Sequence, residues 1–485
     1  MNKKFKNIIL ISCGWVALGC AGTHSNAPLP DHPWTQPVPL VGPQGKEMVH
    51  INSATVNGEG LGMVTWQASA RAEGWDGEGW CRTFHPDGSW SKATPLALGG
   101  EPGFSHQVNP GCGSTPVLLG QEGEGWVVGM ADRYHHRDGD RGLVGSVFTA
   151  TPIRGGEVAG EARWLEPVCR DLDGFKVADN GRDTLLGAWL EQGAAGGPRL
   201  FVNRFLAGRG WASAAAELPV SGTHVDGSYL AGAVTPNGTT CLAWVTRSRA
   251  APSAPRLALQ VASAGPGRDW SDPMDLAEPG ALALGQLTMA AGPGETAALA
   301  WTSLVPGATS MAIQVSLFRP DTGWSRPEIA ARAGASIKDG TSLAFTGPDQ
   351  VVLGYLASDQ ADAETHELRT VWFSAGRWSP PQSHGQPSAK AQFGLGSDGK
   401  GHAVVVWREE RRGRGATVLA SVAEASGSWQ PAVALPSGIA DAGSVEHVAA
   451  AMGPDGTACA LWDTEQEGRR TGWASLLKPG WRRGF

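Results

Sequence analysis

The sequence predicts an all-β fold made of repeated four-stranded modules, and two recurring elements support this. The first is a tryptophan that is followed by serine and a nearby proline in its full form, as in "FHPDGSWSKATPL" and its near-copy "FRPDTGWSRPEI", and that also occurs in degraded copies. The second is a run of small and apolar residues that ends in a large residue, such as "GMVTW" or "ACALW". Short runs with period two are typical of strands, and no long stretch has the 3.6-residue period of a helix.

The two elements alternate along the chain without exception. The tryptophan elements are centred on Trp90, Trp164, Trp211, Trp270, Trp324, Trp378, Trp429 and Trp481. The apolar runs end at Trp66, Met130, Trp189, Trp244, Trp301, Tyr355, Trp407 and Trp462. This interleaving predicts modules of about 50–60 residues, a length typical of repeat architectures.

Each module is predicted to hold four short strands. Strand A is rich in small residues, strand B ends in the large residue, and strand D carries the tryptophan and proline; strand C lies between B and D. Sheets this small cannot bury both faces alone, and a radial arrangement that packs them together is a β-propeller. The sequence therefore predicts one β-propeller over residues 34–485 with eight blades, or seven blades plus an irregular module, because the second repeat is stretched.

The segment "PWTQPVPL" around Trp34 has the pattern of a strand D but precedes the first strand A. We expect this N-terminal strand to pair with the last blade and close the ring, which would remove a free sheet edge. Proline is tolerated on edge strands, and the repeated tryptophans are expected to fill the seams between blades.

The modules resemble those of bacterial BNR/sialidase-like repeat propellers, many of which are exported lipoproteins. "PDGSW" and "PDTGW" resemble remnants of the Asp-box of that family, and the resemblance covers nearly the whole chain after residue 33. It implies a propeller fold. For an enzymatic member it also implies converging arginines, a glutamate and a tyrosine nucleophile, for which Tyr134 and Tyr229 are the main candidates. The arginine-bearing Phe-Arg-Ile-Pro stretch of such enzymes has no clear match.

The N-terminus "MNKKFKNIILISCGWVALGCAG" has a basic start, an apolar run and small residues before a cysteine, as in a secretory signal peptide. "ALGC" resembles the lipobox of bacterial lipoproteins. We therefore expect a signal peptide at 1–19, a lipidated Cys20 carrying palmitate, and a flexible tether at 20–33. The residue after the cysteine is Ala21, whereas an aspartate at this position would resemble an inner-membrane retention signal. The outer membrane is therefore favoured, and the sequence leaves open on which of its sides the protein lies. No later stretch reaches the roughly 20 apolar residues of a membrane helix.

Charge and cysteine content limit the partners further. Loss of the three lysines in the signal peptide would change the formal net charge from −7 to −10, so no nucleic-acid partner is predicted. Cys241 and Cys459 lie in matching apolar strands and are expected to be buried thiols. Any disulfide should therefore come from Cys81, Cys112 and Cys169, with the pairing left open.

The expected working face carries the B–C and D–A connections, because the B–C loops are long, charged and different in every module. The beginnings of the A strands should surround the mouth of the central channel. They offer His50, Asp173, Asp226, Asp339, Glu446 and His447 as candidate ligand-binding residues.

The loop "ADRYHHRDGDRG" adds Tyr134, His135 and Asp138 to the candidates for the ligand-binding face. These residue types suit acid–base chemistry or metal binding, but the interleaved arginines disfavour a cation. No cofactor is predicted. A structural calcium ion stays open, although the acidic loops lack a calcium-loop spacing.

No catalytic motif is evident. The sequence therefore favours a lipid-anchored, non-catalytic binding or scaffold module that presents its B–C loop face to a protein or glycan partner. The alternative is a sialidase-like glycan hydrolase with its site at the channel mouth.

Overall fold

The computed structural model describes residues 32–40, 48–69, 78–96, 104–108, 117–120, 124–137, 140–155, 157–160, 162–164, 172–193, 197–220, 224–248, 256–277, 287–304, 310–333, 336–337, 340–358, 366–385, 392–411, 415–436, 444–466 and 468–477. Pro33–Phe485 forms one compact unit. Its described residues form 38 strands and no helix. The described part of the chain thus contains no apolar helix of membrane-spanning length.

The strands, numbered β1 to β38 in chain order, are Val38–Leu40, Met48–Val56, Gly62–Ser69, Glu78–Phe84, Thr94–Pro95, Phe104–Val108, Val117–Leu119, Glu124–Arg137, Asp140–Arg154, Glu157–Val158, Arg163–Trp164, Leu172–Asp179, Thr184–Gly193, Gly197–Leu206, Gly210–Trp211, Ala216–Leu218, His224–Val234, Thr240–Ser248, Arg256–Ala264, Met274–Ala277, Thr288–Ala291, Ala297–Leu304, Met311–Arg319, Gly323–Trp324, Glu328–Ala333, Ser336–Ile337, Ser342–Gly347, Gln350–Ser358, Glu367–Ser374, Arg377–Trp378, Gln382–Gly385, Phe393–Ser397, Ala403–Arg411, Gly415–Ala423, Val433–Ala434, Ser444–Met452, Ala458–Gln466 and Arg469–Leu477.

The sheets are antiparallel meanders that follow the chain, as in β17-β18-β19-β20 and β32-β33-β34-β35. The first and last modules share one sheet, in which β36-β37-β38 continues into β2-β3-β4-β5. A single parallel pair, Met48 with Arg470, joins the two halves of that sheet. The all-β class and the β-propeller arrangement are confirmed, whereas the number of blades stays a prediction.

The N-terminal strand pairs with the last module, as the sequence predicts. Strand β1 is antiparallel to β38, with Val38 opposite Ala474. The Thr35 N–H donates to the Leu476 carbonyl at 2.8 Å. Trp34 is only 3% exposed and belongs to the same hydrophobic cluster as Trp462. The N-terminal segment therefore covers an edge that β38 would otherwise leave open.

The aromatic residues that end the B strands are among the most deeply buried large side chains. None is more than 2% exposed, and they are Trp66, Trp189, Trp244, Trp301, Tyr355, Trp407 and Trp462. Their clusters cross module boundaries, since Trp244 packs with Leu186 and Trp66 packs with Leu461. A buried aromatic side chain removes about 150–250 Å² from water, so these seams hold the modules together. The predicted seam role of these residues is confirmed.

The Trp-Ser element joins strand C to strand D. The Ser91 hydroxyl accepts the Thr83 N–H at 3.0 Å, and the Ser91 N–H donates to the Thr83 carbonyl at 2.9 Å. The same reciprocal pair links Ser271 to Ser263, Ser325 to Leu317 and Ser379 to Trp372. The serine side chain thus supplies an acceptor to strand C where strand D is only a few residues long.

The tryptophan of this element packs against an aromatic residue of strand C. Ring centroids are 5.1 Å apart for Phe84 and Trp90 and 5.4 Å apart for Phe318 and Trp324. In the turn between them, Gly88 has a φ of +85°, and the Asp87 carboxylate accepts the Ser89 N–H at 2.8 Å. Asp87 and Gly88 therefore shape the turn between strands C and D.

Cys81, Cys241 and Cys459 are buried and free. Burial raises the pKa of the Cys81 and Cys241 thiols to about 12, so both stay protonated. The prediction for Cys241 and Cys459 is confirmed, and Cys81 is excluded from the proposed disulfide. Cys112 and Cys169 lie outside the described residues.

We expect Ser91→Ala and Ser379→Ala each to lower the free energy of unfolding by about 1 kcal/mol, because each leaves a partly buried N–H of strand C without its acceptor. Urea titration measures this loss. Ser374→Ala, at the exposed end of β29, is the matched control and should change stability by less than about 0.5 kcal/mol. Equal stability of all three variants would contradict the structural role of the serine.

Candidate functional site

The beginnings of the A strands are irregular at the positions that the sequence analysis selects. Their pairing with the B strands shifts register between Ile51 and Ser53, Leu172 and Gly174, Val225 and Leu230, and Val445 and Val448. Bulges of this kind re-aim side chains and are frequent beside functional sites. Asp173, Asp226, Glu446 and His447 all lie within the shifted segments.

The structure brings two of the nine candidates together. The rings of His50, on β2, and His447, on β36, lie with their centroids 6.2 Å apart in an edge-on arrangement. For the others, the backbone of Asp173, Asp226 and Glu446 is placed on strands, while their side chains lie outside the described residues. Asp138 and Asp339 lie wholly outside them.

The segment predicted as a loop around Tyr134 and His135 is a continuation of the sheet. Strand β8 runs to Arg137 and β9 begins at Asp140, so that Tyr134 pairs with Leu143 and His135 with Gly142. The prediction of a loop is wrong for these two residues, because β8 and β9 stay paired across the charged stretch as far as Arg137 and Asp140. The side chains of both residues lie outside the described set.

His447 is held by a buried carboxylate. Its Nδ1–H donates to Asp463 Oδ2 at 2.9 Å, and its backbone N–H donates to Asp463 Oδ1 at 2.9 Å. The Asp463 side chain is 0% exposed, whereas that of His447 is 38% exposed. The register shift in β36 places both Glu446 and His447 opposite Asp463. With Nδ1 occupied by this bond, neutral His447 carries its lone pair on Nε2.

His50 is held by a cation instead. Arg470 Nη1 lies 2.9 Å from His50 Nδ1, and Arg470 Nη2 donates to Glu465 Oε2 at 2.9 Å. Because a guanidinium can only donate, His50 Nδ1 must be the acceptor, and the ring proton is on Nε2. Burial, followed by the charge of Arg470, lowers the pKa of His50, while Asp463 and Glu465 act in the opposite direction. His50 is therefore neutral and offers an N–H.

The two imidazoles have complementary functions at one place. His447 offers an unprotonated nitrogen backed by a buried carboxylate, which is the arrangement of a general base. His50 offers an N–H donor with a positive charge behind it, which suits an anionic group of a ligand. The pair lies where β36 begins and β37 ends, on the predicted working face.

Metal binding fits this site less well. Ligand atoms of His50, His447 and Asp463 lie within 4.8 Å of one another, and three such ligands can hold zinc with an open position. A ligating histidine normally donates its second N–H to an acceptor. Here the second nitrogen of His50 accepts from Arg470, so ligation through Nε2 would need loss of the last ring proton beside a guanidinium. The charges and hydrogen bonds thus favour acid–base chemistry over a cation.

The sequence analysis missed Asp463, Glu465 and Arg470, which complete the site. One signal was present: Asp463 directly follows the large residue of strand B, where other modules have Gln67, Ala131, Leu190, Val245, Thr302 and Leu356. Only Arg408 is also charged at this position. A buried carboxylate at this position needs a hydrogen-bond or ion-pair partner, and the sequence does not show which residue supplies it.

No protein-family model matches the chain, and no curated protein sequence matches it. The resemblance to BNR/sialidase-like repeats therefore stays a prediction at the level of sequence.

The solved structures to which the chain is similar share little sequence with it. The polysaccharide lyase Uly1 is 11% identical with a TM-score of 0.43, and the match covers 88% of this chain and 90% of that chain. A Dyadobacter fermentans protein of unknown function is 10% identical with a TM-score of 0.38, covering 64% of this chain and 96% of that chain. Trypanosoma rangeli sialidase is 11% identical with a TM-score of 0.33, covering 66% of this chain but only 57% of that chain.

We expect Arg470→Gln to raise the pKa of His50, because it removes the cation that disfavours imidazolium. An NMR titration of the His50 ring measures this, and Arg469→Gln, at the exposed neighbouring position, is the control.

Since the folded pKa of His50 lies below its ordinary value of 6.5, wild-type stability should fall as the pH drops below 6.5. Arg470→Gln should reduce that loss. An unchanged His50 pKa in Arg470→Gln would contradict the coupling.

Proposed function

We propose that the chain is a glycan-active enzyme in which His447 is the general base. One observation carries this: a half-exposed histidine whose Nδ1 is fixed by a fully buried carboxylate. A purely structural Asp–His pair has no need for an exposed ring, whereas a base must reach its substrate. The proposal takes up the enzymatic alternative of the sequence analysis in place of the non-catalytic module.

The charges at the site favour elimination over hydrolysis. Most glycosidases use two carboxyl groups as acid and nucleophile or base. Here Asp463 is committed to His447 and Glu465 to Arg470, so neither is placed for that chemistry. A base beside a positively polarised donor suits removal of a proton from the carbon next to a carboxylate. The substrate class is then a polysaccharide that contains uronic acids.

In this reaction His447 Nε2 takes the proton from the carbon that carries the carboxylate. The C–H electron pair forms a carbon–carbon double bond, and the glycosidic C–O bond at the next carbon breaks. The departing oxygen takes a proton from the His447 imidazolium or from water. The His50 Nε2–H holds the substrate carboxylate as charge develops on it, and Asp463 stabilises the imidazolium without taking its proton.

The test is turnover of uronate-containing polysaccharides by the purified mature chain, followed by the ultraviolet absorbance of the unsaturated product. His447→Ala should lower the rate by about 10²-fold or more. Asp463→Asn should lower it comparably, because the amide can reverse the tautomer. His85→Ala, on an exposed C–D turn, is the control and should leave the rate unchanged.

Other outcomes of this assay are informative. If new reducing ends form without an unsaturated product, the reaction is hydrolysis and the proposed elimination is contradicted. Binding of the polysaccharides without any turnover would overturn the enzyme and favour the non-catalytic module. Full activity of folded His447→Ala would overturn the assignment of the base.

We also propose that the mature chain is lipid-anchored through Cys20 to the bacterial envelope, with the outer membrane favoured. The support is the lipobox-like "ALGC" after a basic, apolar start. Labelled palmitate should enter the wild-type protein and not Cys20→Ala, and globomycin should block processing of the wild type alone. Unchanged processing and absence of label in the wild type would contradict the anchor.

The ring is proposed to hold eight blades. In the shared sheet, β36-β37-β38 and β2-β3-β4-β5 each have the strand order of a module and are joined by one residue pair. Counting them separately gives eight modules over the predicted domain 34–485.

A further inference from the structure

A cavity lies at the ends of the strands opposite to the candidate site, among the A–B and C–D turns of two neighbouring modules. Its volume is about 640 Å³, and its walls include Trp126 on β8, Arg154 at the end of β9, Arg163 on β11 and Arg182 in the β12–β13 turn. We refer to it as the turn-face cleft. His447 and Asp463 lie where an A strand begins and a B strand ends, so the cleft is separate from the candidate site.

The cleft has an excess of positive charge. Arg154, Arg163 and Arg182 are exposed, and none forms an ion pair with a carboxylate in the described ranges. Two acids also line it. Asp183 is engaged within its own turn, accepting from Asn180 Nδ2 at 2.9 Å and from Thr184 Oγ1 at 2.8 Å.

The second acid, Glu124, lies opposite Arg154 in the β8–β9 register. Three guanidinium groups therefore face two carboxylates, one of which already has partners. This happens in a chain whose formal net charge is −7.

Some exposed arginines elsewhere on the chain pair with carboxylates, whereas Arg209, Arg268, Arg326 and Arg377 are exposed without such a partner in the described ranges. Arg199 pairs with Glu217 at 2.6 Å, and Arg319 pairs with Asp349 at 2.9 Å. The cleft differs from these isolated positions because Arg154, Arg163 and Arg182 line one cavity, and this convergence points to an external anion. Guanidinium groups match carboxylates in geometry and bind them through paired hydrogen bonds.

The cleft also has an aromatic wall. The Arg163 guanidinium carbon lies 4.9 Å from the centroid of the Trp126 ring, which is half-buried and also contacts Phe205 edge-on at 5.0 Å. A cavity of this size is within the range of small-ligand sites, and its mixture of one aromatic group with a few polar groups is typical of them. Glycine at 120, 125, 160 and 208 lines the walls and allows close approach.

We propose that the turn-face cleft binds a short segment of an acidic glycan. Arg154 and Arg182 hold its carboxylates, and a sugar ring packs beside Trp126 and Arg163. The choice of a glycan rests on the proposed function, whereas the presence of an anion site does not. The cleft would retain a long polymer on the enzyme while another part of it reaches His447.

The experiment is calorimetric titration of the full mature chain carrying His447→Ala, which suppresses turnover, with tetragalacturonate as the probe. Adding Arg154→Gln and Arg182→Gln together should weaken one binding event by at least about tenfold, since hydrogen bonds to charged groups contribute about 1.5–3 kcal/mol each. Arg319→Gln is the matched control and should leave binding unchanged. Adding His50→Gln instead should weaken the other event.

The outcomes separate the two proposals. The cleft site is overturned if the double arginine variant binds the probe as well as its parent does. It is also overturned if the titration shows a single binding event and His50→Gln removes it. Equal affinity for a neutral galactose oligosaccharide also overturns it, and inorganic sulfate bound as tightly as the probe overturns the glycan assignment. If the wild-type chain binds the probe at the cleft but does not turn it over, the proposal of a cleft site holds and the proposal of an enzyme is contradicted.

Discussion

The packing of a large aromatic side chain at the end of strand B, found in seven modules, into the seam with the neighbouring module is the constraint on which the fold depends. A four-stranded sheet of this length has two apolar faces and little polar surface to cover them. Each buried tryptophan packs against the apolar faces of two neighbouring modules and removes both from water. Tyr355 takes the same place in one module, and burial raises its pKa to about 12, which keeps the hydroxyl protonated there.

The same constraint positions the candidate site. The backbone of each A strand is fixed by the seams near its end, so its beginning can bulge without loss of the core. His447 and Asp463 use this freedom, because Asp463 directly follows the buried Trp462 and shares its rigidity. If His447 were mobile, its hydrogen bond to Asp463 would break and the tautomer of the ring would no longer be fixed. The buried Trp462 next to Asp463 holds this part of the sheet in place and so preserves the hydrogen bond.

Much of the fold was accessible from the sequence because its signals are local and repeated. Trp66 and Trp244 stand at equivalent places in a period, and their burial follows from the repetition. The role of Ser91 is different, since its hydroxyl acts on Thr83, and that relation requires the register between strands C and D. His50 and His447 could be selected as residues at the beginnings of A strands, but their partners could not. Arg470 reaches His50 across the seam between the first and last modules, a contact for which the chain carries no local pattern.

The His50–Arg470 contact joins residues that are 420 positions apart. The site is thus assembled from residues of the first and last modules, which lie at opposite ends of the domain in the sequence. A chain whose first and last modules have not yet met lacks the contact between His50 and Arg470. Formation of the site therefore depends on closure of the ring, in which Met48 pairs with Arg470.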